Sequence, residues 1–432
     1  MCIVSEITAK INNIFEESML SRLAKACGFI KRTREIKAKD FLLSLIVETV
    51  DSKTSSLSEL AIELSKSGNG VTKQAVHKKC NERSVAFLKE VLKTILNQLK
   101  QSIGSKCLDN LSFINSVTVV DSSEIPLSKA LKDEFKGIRG SLGVVKLQAQ
   151  MDVLENRIEN LDIRNARETD QGYREHLSNV DSGSLLIADL GYFRVESFAT
   201  LDKNGSYFLS RYFKRTYIYD AITEQRIDLH KKLSESSETI IEFDIRLSDS
   251  KFPCRLVALK LDDEAYVKRI ANIKKSKKKD KRLKGEISIL DKWTIFVTNL
   301  PSSVSASMML PLYKLRWQIE LFFKMMKSFF NLRKIEHSNK QRTLLSIYAS
   351  LIAMGLLSII LTGLIQQMEL SLYKAGKYFI KNLRWFLVRF RDSQQDAVIW
   401  IRDILSKYAY KESRRNRPST LRIIQESLNG YA

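Results

Sequence analysis

Apolar positions recur three and four residues apart through the first hundred residues. Ser56-Leu57-Ser58-Glu59, a serine followed three positions later by a glutamate, is a capping-box start. Leu60, Ala61 and Leu64 then line one face of the helix it opens. Gly68-Asn69-Gly70 ends that helix, because glycine and asparagine accept the positive φ of a tight turn. Thr72 is placed to cap a second helix whose early residues are Lys73, Gln74, His77 and Lys78. This is the outline of a helix-turn-helix DNA reader, with Lys73, Gln74 and Lys78 as candidate contacts. A plain helical hairpin with a solvated polar face fits the same pattern.

From about residue 110 the period shortens. Ser116-Val117-Thr118-Val119-Val120-Asp121 is a β-branched run that closes on a carboxylate, and Leu185-Leu186-Ile187-Ala188-Asp189 repeats the arrangement. Lys146 to Ile163 alternates like one or two more strands, and Tyr207-Phe208-Leu209-Ser210-Arg211 is a further run ending in a base. Helical stretches are predicted around Leu127–Phe135, Tyr173–Val180 and Arg194–Leu201, so the core reads as mixed α/β. Residues 212–300 carry shorter strand-like pieces, among them Arg255–Leu259 and Trp293–Val297, and read as a β-rich insertion. From Leu312 the pattern is helical to the end. Residues 343–368 hold no charged side chain and are long enough to cross a bilayer. The serines, threonines and glutamines within them favour a buried core or interface helix, and no membrane is expected.

Composition narrows the function. In 432 residues there are 16 glycines and 5 prolines, too few for a collagenous or Pro-rich chain. Lysine and arginine outnumber the acids 71 to 49, a net charge of +22 that calls for a polyanionic partner, DNA first. Ten of the bases fall in Lys268–Lys284, where Lys275 and Lys278 are candidate phosphate contacts; a solvated helix or loop is the plainer reading. Five scattered cysteines and no secretory pattern at the start suit reduced thiols in a cytoplasm.

The chemistry concentrates in Tyr313, Arg316, Glu320 and Lys327. On a continuous helix these four share a stripe roughly 60° wide. Leu315, Ile319, Phe322, Met326, Phe329 and Phe330 take the opposite face. Charges on an embedded helix need partners, and the two strand-ending aspartates, Asp121 and Asp189, are the ones proposed. Three carboxylates in one place repel unless divalent cations sit among them. Mg2+ (or Mn2+) suits such hard oxygen donors, and two ions serve an in-line attack on a phosphodiester. Arg316, Lys327 and Tyr313 are then placed to bind phosphate oxygens.

Tyr313-x2-Arg316-x3-Glu320-x6-Lys327 resembles the YREK signature of DDE transposases of the insertion-sequence-4 family. Asp121-Ser122-Ser123 with Ile125-Pro126-Leu127 is similar to that family's first-Asp segment. Ala188-Asp189-Leu190-Gly191-Tyr192 is similar to its second, and Tyr207–Arg211 to the strand that follows. The resemblance implies a ribonuclease-H-like core interrupted by a β-rich insertion. It implies Asp121, Asp189 and Glu320 as the metal-binding catalytic triad, and Tyr313, Arg316, Lys327 and Arg211 as DNA contacts. It further implies cut-and-paste transposition, with nicking at inverted-repeat ends and strand transfer. Trp293 is similar in placement to a tryptophan that stacks on a flipped base, though a tryptophan beside a β-run also serves as core. Trp317 reads as a packing residue.

The expected architecture is thus a helical DNA-binding region at 1–108 and the core's first part at 109–211. The insertion at 212–300, the core's last part at 301–342 and C-terminal helices making homodimer contacts on DNA at 343–432 complete it. The expected function is a DNA transposase acting on double-stranded DNA. The rivals are an inactive transposase-derived DNA-binding inhibitor, a hydrolytic nuclease without strand transfer, and a membrane-surface protein.

Overall fold

The structure is a computed structural model. It describes residues 3–31, 36–51, 56–66, 68, 70–100, 111–137, 142–279, 287–333, 335–362, 364 and 370–410, the side chains of 51 and 277–279 excepted. Its helices are α1 (Ile3–Phe15), α2 (Glu17–Ala26), α3 (Ala38–Asp51), α4 (Leu57–Ser65), α5 (Lys73–Lys79), α6 (Glu82–Lys100), α7 (Val195–Lys203), α8 (Leu229–Ser234), α9 (Asp263–Lys279), α10 (Met309–Lys314), α11 (Trp317–Phe329), α12 (Lys340–Leu361), α13 (Leu372–Asp392) and α14 (Gln394–Tyr408). Its strands are β1 (Ser116–Pro126), β2 (Val144–Asp152), β3 (Arg157–Asn165), β4 (Ser184–Ala188), β5 (Tyr207–Arg211), β6 (Ile218–Asp220), β7 (Ile240–Leu247), β8 (Phe252–Lys260) and β9 (Trp293–Thr298). The fold is mixed α/β, with strand order β3-β2-β1-β4-β5-β9-β8-β7-β6, consistent with a ribonuclease-H-like core. Two compact units divide the chain, and β1 contributes to both: its residues 116–120 to one, 121–126 to the other.

The first unit draws on Met1–Lys106, Asp121–Thr169 and Trp317–Arg415. Its centre is α12, apolar all round, with nearly every residue from Thr343 to Leu361 buried; α3 and α6 pack on it. At Gly355 the helices meet so closely that a Cβ would stand 2.5 Å from Ile95 Cγ2. This is the one described helix long and apolar enough to span a membrane, and it is buried inside the protein instead. The capping box at Ser56 and Glu59 forms, and Thr72 caps α5 through the Ala75 amide. β2 and β3 pair antiparallel. Helix α11 buries Ile319, Phe322, Phe323, Met325 and Met326, each side chain worth about 1.5–3 kcal/mol of burial.

The second unit draws on Cys107–Val120, Asp170–Arg316 and Asn416–Ala432. β1, β4 and β5 run parallel, and β5, β9, β8, β7 and β6 continue antiparallel. The runs Val117–Val120 and Ser184–Ala188 are buried and, apart from Thr118 and Ser184, apolar, as a parallel strand covered on both sides requires. α7 joins this core through Phe198, whose ring stacks on Phe208 at 4.3 Å between centroids.

Three expectations need correction. β1 does not end at Asp121 but runs on to Pro126, although its pairing with β4 stops at Val120. The stretches at 127–135 and 173–180 form only 3-10 turns. There Ser178 and Asn179 side chains bond the Glu175 carbonyl, competing with helix bonds. The described part of the basic run, 268–279, falls on the long helix α9. Finally, Tyr313 and Lys327 do not share one helix. The chain tightens to i→i+3 bonds at Leu315 and Arg316, separating α10 from α11.

Candidate active site

Within the first unit, Asp121, Ser122, Ser123, Glu320, Phe323, Lys324, Lys327, Ser328 and Arg333 line an open cavity of about 420 Å³. β1 supplies the aspartate just where its buried run ends, so the side chain is half-buried at the strand's emerging end. Its Oδ1 accepts a 2.8 Å bond from the Ser122 amide. Glu320, Lys324, Lys327 and Ser328 come from one face of α11, spaced by four, seven and eight residues, while the buried side of the helix anchors that face. The Lys327 ammonium donates to Ser123 Oγ. Burial, and then the neighbouring Arg333 guanidinium, push the Lys327 pKa down, while Glu124 opposes them.

Within the second unit, Asp189 follows β4 directly and is exposed. It occupies the cap position of the turn Leu190–Tyr192, yet its side chain makes no capping bond, so turn-capping does not account for it. Tyr313 Oη donates to Asp189 Oδ1 at 3.3 Å. Burial, then the Asp189 carboxylate, push the phenol up to about 12 against the pull of Arg316 and Arg211, so it stays protonated at neutral pH. The Arg316 guanidinium lies 6.0 Å from the Tyr313 ring centre. Val120 pairs with Ala188 in the parallel ladder, and in each segment an aspartate is the next residue.

The donor chemistry fits a hard divalent cation: Asp121 and Glu320 are oxygen donors on a shared, solvent-open cavity. Among the described residues no three histidine, cysteine, aspartate or glutamate side chains gather into a metal-ready cluster.

The other predicted contacts are dispersed. Lys73, Gln74 and Lys78 are exposed on α5, and Lys275 is exposed on α9; the side chain of Lys278 lies outside the described residues. Arg211 is half-buried at the end of β5, near enough to Arg269 to lower that group's pKa together with burial. Trp293 is 2% exposed inside the core of its unit and offers no open ring face. Trp317 is not a packing residue: it is 57% exposed. Cys27, Cys80 and Cys254 are free thiols, and Cys2 and Cys107 lie outside the described residues. Lys324 and Arg333 were not foreseen. The spacing of Lys324 four residues after Glu320 was available in the sequence, but nothing there marks Arg333.

Comparison with known proteins decides the affiliation. The family model described as the transposase DDE domain matches residues 113–356. The chain belongs to the DDE transposase domain family. The matched span contains Asp121, Asp189, Tyr313, Arg316, Glu320 and Lys327. The chain is 30% identical over 378 residues to the transposase for insertion sequence element IS1151 of Clostridium perfringens, covering 82% of this chain and 80% of that one. It is 28% identical over 388 residues to the transposase for insertion sequence element IS231F of Bacillus thuringiensis subsp. israelensis, covering 82% and 81%. The family match therefore reaches well beyond the short signature around Glu320.

Proposed function

We propose that this chain is the DNA transposase of an insertion sequence, cutting at the element's inverted-repeat ends and joining them to target DNA. The observation that carries the reading is the family match over 113–356, which encloses every residue assigned chemistry. The cavity supports it: two carboxylates face three cationic side chains, an arrangement suited to a phosphodiester. Asp121, Asp189 and Glu320 are the residues that would hold divalent ions, Mg2+ or Mn2+. Such ions supply Lewis acidity toward the phosphate and activate the attacking oxygen.

The chain's own groups do the rest. Lys327, steadied by Ser123, holds a phosphate oxygen at the cavity; an anion there relieves the unfavourable neighbourhood of Arg333. Tyr313 remains a hydroxyl donor at working pH, orienting Asp189 or a phosphate oxygen, and Arg316 adds positive charge beside it. Lys73, Gln74 and Lys78, exposed on α5, belong to the region that finds the element's ends, and the exposed bases of α9 add binding without sequence information. A homodimer on the DNA, with α13 and α14 in its contacts, belongs to the same proposal.

A supercoiled plasmid carrying the element, incubated with Mg2+ and purified protein, tests it. Wild type should release the element and join it to a second plasmid, and Glu320→Ala should do neither. Nicking without joining would leave a hydrolytic nuclease. Equal product from both proteins would remove Glu320 from the chemistry.

A further inference from the structure

The second unit contains another cavity, of about 560 Å³, formed by the turn after β5, by β6 and by the segment leading into α8. Its size is within the roughly 300–1,000 Å³ of small-ligand sites. Lys214, Arg215, Tyr217, Arg226 and His230 are among its lining residues. Tyr217 is 48% exposed, and the Arg226 guanidinium lies over its ring at 3.8 Å from the centroid. Neither Arg215 nor Arg226 has an ion-pair partner among the described residues, whereas Lys214 is held by Asp291 at 2.6 Å.

One carboxylate, Asp228, also lines the cavity, and it and the nearby Asp220 are turned to backbone amides, not to the arginines. Asp228 accepts from the Lys231 amide as the cap of α8, and Asp220 accepts from the amides of Ile222 and Thr223. The cavity therefore combines two guanidinium groups that form no ion pair among the described residues with a half-open aromatic ring. Folding gains little from that combination, since an exposed cation–π pair is only weakly stabilising. An anionic ligand with a flat ring complements it.

We propose that this cavity binds one nucleotide of a DNA strand, its base against the Tyr217–Arg226 pair and its phosphate on Arg215. The inference rests on the reading that the chain acts on DNA, but not on the carboxylate site. Base stacking on an aromatic ring tolerates any sequence, so the site steadies a strand without reading it. A base must be unpaired to lie on the ring, so single-stranded DNA is preferred over duplex.

The test is fluorescence anisotropy of the full-length chain with a labelled single strand of about 20 nucleotides and with the matching duplex, across a salt series. Tyr217→Ala should weaken single-strand binding about tenfold and duplex binding less, and Tyr217→Phe should restore it. Arg215→Ala should reduce the slope of log affinity against log salt by about one. Circular dichroism melts of each variant establish that it is folded. Single-strand affinity within twofold of wild type in both alanine variants, with the salt slope unchanged, would overturn the proposal while leaving the DNA reading intact. Competition by free deoxyadenosine monophosphate as effective as the strand itself would overturn the strand assignment. Wild type that binds neither probe would remove the DNA reading and this site together.

Discussion

The two aspartates that follow the paired residues of β1 and β4 stand in different surroundings. Asp121 is half-buried on a cavity shared with Glu320, Lys324, Lys327 and Arg333. Asp189 is exposed and accepts a bond from one protonated phenol flanked by arginines. The first environment is a mixed-charge pocket with two carboxylates and three cationic side chains. The second keeps one carboxylate accessible through a neutral donor that can let go without stranding a buried charge. Similar strand positions thus place the two acids in different surroundings, set by their neighbouring side chains.

Breaking the first environment should have the largest effect. Asp121→Asn and Glu320→Gln should each lower strand cleavage by about 10³-fold or more, several kcal/mol of transition-state stabilisation, while plasmid binding in a gel shift persists. Lys327→Ala comes next, at about 10²-fold in single-turnover cleavage, because it removes a charge-assisted phosphate contact. Tyr313→Phe should cost about tenfold, since Asp189 loses only one neutral donor. Ser123→Ala should be smallest, a few-fold, because Lys327 loses its steadying acceptor but keeps its charge.

A pH experiment probes the second unit by itself. His176 lies between the Tyr173 and Tyr192 rings, and burial lowers its pKa to about 4. A histidine depressed in the folded state contributes stability that is present above its ordinary pKa near 6.5 and lost as pH falls toward 4. Thermal melts should therefore show that loss between those values, on the order of 2–3 kcal/mol, and His176→Gln should flatten it.

Much of this was legible in the chain. The apolar runs ending at Asp121 and Asp189 mark where buried strands emerge, because a parallel strand needs apolar residues on both faces and the first acid shows where cover ends. The spacing of Glu320 and Lys327 holds, as both lie on α11. The break between α10 and α11 was invisible, since a turn tightened to i→i+3 bonds contains no Gly or Pro and leaves the apolar spacing almost unchanged. Trp317, the first residue of α11, is exposed, and its place in the apolar spacing does not show it. Trp293 followed the plainer rule for an aromatic in a central strand and went into the core. The cavity around Tyr217 comes from three segments folded together, and no local pattern in residues 212–230 announces it.

The central claim is that Asp121, Asp189 and Glu320 share divalent ions. It is tested most directly by electron paramagnetic resonance of Mn2+ titrated into the full-length chain, comparing wild type with Asp121→Asn, Asp189→Asn and Glu320→Gln. The account predicts that each substitution weakens Mn2+ binding at least about tenfold. Unchanged Mn2+ affinity in Asp189→Asn, with losses in the other two, would contradict it.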